Sequence, residues 1–269
     1  MKRTIICSLV FVSLVIPILS PPTVSYADPI LKPRKYHGPI PKRYFTISIG
    51  VMGGADNEEM WNFLAREVDE VLRDEATTDD FGAAPSIECS YTTKLHPQFA
   101  VRGKGALTIL RSESRGLLIP DVEPDTTGVL PLVEFERDFN ILLFSLDATG
   151  LFYFQDASVK SFQSYIGGGF SLYIPRAKLK EELTDLDTGE AFAQGIKEQS
   201  EWSVNPGIHA ILGFLYHLTP TFAVNAEART QIAQSKFTLD YPTRDGVQAL
   251  SFDVDYVGFS LTVGVAKFF

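Results

Sequence analysis

Residues 257–269 read VGFSLTVGVAKFF. Side chains alternate across an extended strand with period two. Val257, Phe259, Leu261, Val263, Val265 and Phe269 therefore share one face, interrupted by Lys267. Gly258, Ser260, Thr262, Gly264 and Ala266 share the other with Phe268; apart from Phe268 they are small or hydroxylated. An apolar face backed by a small, polar face fits a strand with lipid on one side and a polar lumen on the other. An ordinary strand of a soluble sandwich is the alternative. The rest of the chain weighs against it, because the same alternation recurs throughout.

Working outward, the first strand is expected over Arg43 to Gly53, with Phe45, Ile47, Ile49 and Val51 outward. The second runs from Ser86 to Lys94 and the third from Gln98 to Leu110, joined by a tight turn at His96-Pro97. The fourth covers about Asn140 to Phe154, the fifth Phe162 to Ile174 and the sixth Pro206 to Leu218. The seventh covers Thr221 to about Ile232. The eighth ends in the stretch quoted above. Before it, Leu250, Phe252, Val254 and Tyr256 alternate on the opposite parity, and a bulge near Val257 would reconcile the two registers. Gly167-Gly168-Gly169 lacks the lysine and following helix of a phosphate loop and suits a sharply curved strand.

The connections alternate long and short. Long excursions are expected over 54–85, 111–139 and 175–205, with a fourth centred on Tyr241 to Gly246; within the second, Val133 to Arg137 is expected to extend the sheet above the membrane. Eight strands, short turns at one end and long loops at the other describe a closed antiparallel membrane barrel. In the first excursion, Asn57 can cap a helix carrying Trp61, Leu64, Val68, Val71 and Leu72 at spacings of one, three and four.

Composition agrees. The chain has 269 residues, of which 45% are hydrophobic, and beyond the N-terminus no apolar run approaches the roughly 18 residues of a membrane helix. Lys2 and Arg3, the apolar Ile5 to Leu19, and Ser25-x-Ala27 make residues 1–27 a signal peptide for export. An uncleaved anchor helix is the alternative, against which Pro17, Pro21 and Pro22 argue. Residues 28–42 form a proline-rich leader on the periplasmic side, and 43–269 the barrel. Loss of Lys2 and Arg3 takes the net charge from −9 to −11, which disfavours nucleic acid as a partner. Cys89 is then left alone and cannot form an internal disulfide; it reads as a lipid-facing or core residue.

With these features in view, the chain resembles the eight-stranded bacterial outer-membrane β-barrels, a group that includes the transmembrane domain of outer membrane protein A and outer membrane protein X. SYIGGGFSLYI (164–174), PGIHAILGFLYHLTPTFAVNAEAR (206–229) and GFSLTVGVAKFF (258–269) carry the resemblance. It implies an all-β, eight-stranded up-and-down transmembrane barrel, to which the spacing after Asn57 adds a short helix in the first outer loop. It also implies the bacterial outer membrane as location, with lipid and lipopolysaccharide as surroundings. A terminal strand read by the barrel-assembly machinery through Val263, Val265 and Phe269 is implied too; Lys267 departs from that pattern. No peptidoglycan-binding domain follows, so that role is not carried over.

The inward parity collects Glu88, Lys94, Arg102, Lys104, Asp147, Glu227 and Arg229. An eight-stranded barrel is just wide enough for side chains to fill, and buried charges there must pair. A solid polar core is the first reading and a narrow ion path gated by the pairs the second. Glu227 with Arg102 or Arg229 is the expected central pairing. His209 and His217 face inward eight residues apart, too far for one metal, and a lipid A hydrolase would need its serine and histidine facing lipid. Asp185, Asp187 and Glu190 lack the spacing of a calcium loop. The sequence thus points to an anchor presenting four outer loops, with possible extracellular ligands, and to no enzyme, cofactor or metal.

Overall fold

The computed structural model describes residues 42–53, 55, 77–78, 81–118, 133–154, 162–185, 198–243 and 246–269. The expected signal peptide, almost all of the leader and the helix after Asn57 lie outside them. The strands are β1 (Arg43–Gly53), β2 (Thr77–Thr78), β3 (Ala84–His96), β4 (Phe99–Leu118), β5 (Val133–Tyr153) and β6 (Phe162–Asp185). They continue with β7 (Gln199–Trp202), β8 (Asn205–His217), β9 (Phe222–Thr243), β10 (Gly246–Asp255) and β11 (Gly258–Phe268).

Eight of them close a ring in the order β1-β3-β4-β5-β6-β8-β9-β11, all antiparallel. The closing seam pairs β1 with β11, from Tyr44 opposite Phe268 to Gly53 opposite Phe259. Closure matters because an unpaired strand edge in lipid would leave backbone donors and acceptors unsatisfied. The lower outer surface is a band of exposed apolar residues that includes Ile47, Ile49, Ile87, Val101, Leu146, Phe170 and Val263. The residues between them on each strand, such as Ser48, Ser90, Thr149 and Thr262, are buried inside.

Three expectations are corrected. The described parts of the excursions over 111–139 and 175–205 are mostly sheet: β4 and β5 stay paired up to Leu118 and Val133, and β5 and β6 up to Val133 and Asp185. β7 pairs with β6 in the same register as β8, so β7 and β8 are one strand interrupted at Ser203 and Val204. The fourth excursion is a hairpin, with Gly246 opposite Thr243. The bulge near Val257 is absent. One register runs from Gly246 opposite Thr243 to Lys267 opposite Phe222, and Tyr256 N donates to Ala233 O at 2.8 Å across the gap between β10 and β11.

The parity change has another cause. Above Ile109, Leu142, Ile174 and Ile232 the outward residues become Arg111, Asn140, Arg176 and Gln234, while the inward ones become Leu110, Ile141, Ala177 and Phe237. The strands run on unbroken, but their polarity reverses. In the lower half lipid lies outside; in the upper half water does, so the apolar residues turn to the interior as in a soluble protein. A regular strand crossing that boundary must shift its apolar residues by one position.

Candidate functional site in the barrel lumen

The lumen is stacked in layers. At the short-turn end, Tyr44, Tyr153, Tyr165, Leu151, Leu215 and Phe268 form an aromatic floor. The Tyr44 and Tyr153 hydroxyls bond at 2.5 Å, and the Tyr44 and Phe268 rings lie 4.7 Å apart. At the other end Phe139, Phe237 and Phe252 pack with Leu110, Leu143 and Val254 into an apolar ceiling. The Phe252 ring is 5.6 Å from Phe139 and 5.7 Å from Phe237.

Between floor and ceiling lie three carboxylates, Glu88, Asp147 and Glu227, and three cations, Arg102, Lys104 and Arg229. The Arg102 guanidinium donates to Glu227, and its Nε donates to Thr92 Oγ1 at 3.2 Å. Tyr165 OH donates to the same Glu227 oxygen at 3.0 Å. Arg229 forks onto both oxygens of Asp147, one at 3.0 Å, and also donates to Ser171 Oγ and Tyr173 OH at 2.9 Å. Lys104 Nζ sits among the carboxylates, 3.1 Å from Glu88 and 3.7 Å from both Asp147 and Glu227. The charges cancel, as burial requires of ionised groups at this depth.

Six of the seven inward charges named from sequence thus meet in one network. Glu227 pairs directly with Arg102, whereas Arg229 takes Asp147. The seventh, Lys94, belongs to the floor: its Nζ donates to Gln163 Oε1 at 3.3 Å and lies 4.3 Å from the centre of the Tyr153 ring. The histidines part company. His209 is held in the network, its ring nitrogens 2.8 Å from Thr149 Oγ1 and Ser171 Oγ. His217 sits in the floor, 4.8 Å from the Phe268 ring. Sequence reasoning gave the tyrosines and Ser171 no role; which hydroxyl completes which charge depends on cross-barrel distances that alternation does not encode. Two small gaps among the described residues of the network have volumes of ≈ 10 Å³ each, about the space of one water.

Val263, Val265 and Phe269 lie on the outer face, more than half exposed. Phe269 N donates to Arg43 O at 3.1 Å, tying the end of β11 to β1. Cys89 also faces outward. Among the described residues no group of histidine, cysteine or carboxylate side chains is arranged to hold a metal.

Compared with solved structures, the chain is similar to the outer membrane protein OprG of Pseudomonas aeruginosa, with a TM-score of 0.51 at 13% identity. The match covers 86% of this chain and 97% of that one. The fold is that of a small outer-membrane β-barrel. Neisserial surface protein A matches over 86% of this chain and 100% of its own, at 13% identity and a TM-score of 0.37. The outer membrane protease OmpT of Escherichia coli matches over 84% and 96%, at 11% identity and a TM-score of 0.45. The likeness is one of fold. No protein-family model matches the sequence, and no curated protein matches it.

Proposed function

We propose that this barrel, exported through residues 1–27 into a bacterial outer membrane, is a structural and surface-interaction anchor with a sealed lumen. The observation that carries the reading is the charge-neutral network closed between the aromatic floor and the apolar ceiling. An ion crossing it would have to break buried pairs and pass packed phenylalanines. With the short turns in the periplasm, the tall strands β4, β5, β6 and β9 raise their connections outside the cell. In planar bilayers the purified barrel is expected to give no regular conductance steps. Steps of fixed size from the wild-type protein would overturn the anchor reading in favour of a narrow channel, the reading that the two water-sized gaps favour.

We assign no catalytic role. His209 has two hydroxyl neighbours, but all three turn into the lumen, away from any acyl chain. The outward Val263, Val265 and Phe269 suit recognition by the barrel-assembly machinery. Phe269→Ala is expected to lower the outer-membrane yield in cells while leaving refolding into detergent unchanged. Equal yields would remove Phe269 from that role.

A further inference from the structure

Directly above the apolar band, the outer face of the β4-β5-β6 wall carries a group of cations. Ile109 stands opposite Leu142, Leu142 opposite Arg176, and Arg176 opposite Trp202. Two residues higher, Arg111 stands opposite Asn140 and Asn140 opposite Lys178. With strands about 4.8 Å apart, Arg111 and Lys178 are separated by about 10 Å, and Arg176 lies one alternation below Lys178.

Ion pairing divides this face by height. Farther from the band, Arg115 pairs with Glu136 and Glu113, and Lys180 with Glu182. Glu136, accepting from Arg115, and Glu182, accepting from Lys180, hold both cations above their ordinary pKa. Next to the band, Arg111 and Arg176 have no carboxylate partner among the described residues. Among the described residues Arg176 reaches Ser200 Oγ, at 3.5 Å, and the Trp202 ring, at 5.6 Å. Lys178 has the exposed Glu198 at 3.0 Å, a surface pair of little strength. Trp202 is 59% exposed beside them, an aromatic at the height where membrane barrels carry their interfacial girdle. In a chain of net charge −9, the uncompensated cations sit where lipid headgroups begin.

We propose that Arg111, Arg176 and Lys178 bind the phosphorylated headgroup of an outer-leaflet glycolipid whose acyl chains lie against the apolar band below. The proposal rests on the membrane reading above. Guanidinium forks match phosphate oxygens, and continuity with the band lets one molecule use both surfaces.

The test uses the signal-free chain in phosphatidylcholine nanodiscs, with retained lipid counted by native mass spectrometry. The probe is bisphosphorylated lipid A, and the comparator is the same lipid with its phosphates removed. The wild type is expected to retain the phosphorylated form preferentially. R111Q/R176Q/K178Q should lose that preference, with about tenfold weaker retention, a difference of about 1.4 kcal/mol. R115Q/K180Q, altered farther from the band, should behave as the wild type. Equal retention by the triple variant, or no preference in the wild type, overturns the proposal. Displacement of lipid A by inorganic phosphate at matched concentration also overturns it, in favour of a general anion site. The heat-dependent gel shift of a folded barrel is read alongside: its presence in the triple variant excludes misfolding, whereas its absence from the wild type sinks the membrane reading itself.

Discussion

Glu227 is held from several sides in the lumen, accepting from Arg102 and Tyr165 with Lys104 nearby. Glu227→Ala would leave Arg102 buried without its counter-charge. Breaking a buried pair on one side costs about 3–5 kcal/mol. The urea midpoint of the folded barrel should therefore fall well below that of the wild type. R102M/E227L, which removes both charges, should recover most of the loss, because apolar replacements of similar volume are often neutral. If the single and double variants unfold at the same midpoint, pairing is not what Glu227 provides. At this scale the sequence was legible in kind but incomplete in partner. Period-two alternation separates Glu227 from the lipid-facing Ala226 and Ala228, yet nothing in it distinguishes Arg102 from Arg229 as the mate. That choice is made by the register of β4 and β9, strands that are not neighbours in the ring.

The strands themselves carry the next lesson. Their lower halves were legible because an apolar face against small polar residues has a regular period. Their upper halves, apart from Val133 to Arg137, were read as loops because their apolar residues, such as Leu179 and Leu183, alternate out of step with Leu172 and Ile174 below. The same offset before Val257 suggested a bulge. Both misreadings assume that the apolar face of a strand keeps its side, and here it does not. The closing seam offers a test at this scale. A Cβ on Gly264 would lie 2.3 Å from Ile47 O and 2.2 Å from Ser48 Oγ, whereas one on the outward Gly103 would meet nothing within 4 Å. Gly264→Ala must push β1 away from β11, and overpacking of this kind costs about 1–3 kcal/mol. Refolding yield and urea midpoint should fall for Gly264→Ala and stay near wild type for Gly103→Ala. Matching losses in both would mean that β-propensity, not the seam, sets the effect.

For the molecule as a whole, the two halves of the ring are built for different solvents. The lower half is a membrane protein with a charged heart; the upper half is a water-soluble barrel with a phenylalanine core. The eight-stranded closure and the identity of the outward-facing apolar residues could both be read from the chain, because each repeats from strand to strand. A filled interior was the first reading of the inward charges, but the aromatic floor and ceiling could not be read, since they depend on side chains from strands far apart in sequence meeting in one layer.

That division also fixes a waterline. Sinking the barrel by one alternation would bury Arg111, Arg176 and Lys178 in hydrocarbon, and raising it would expose Ile109, Leu142, Ile174 and Ile232 to water. The protein therefore has little freedom to ride up or down, and a bilayer of the wrong thickness must itself stretch or thin to meet it. Folding yield across phosphatidylcholines of increasing chain length should peak where the hydrocarbon is about 25 Å thick, the height of such a band. It should drop on both sides of that length, and a flat profile would mean that the waterline does not set the depth.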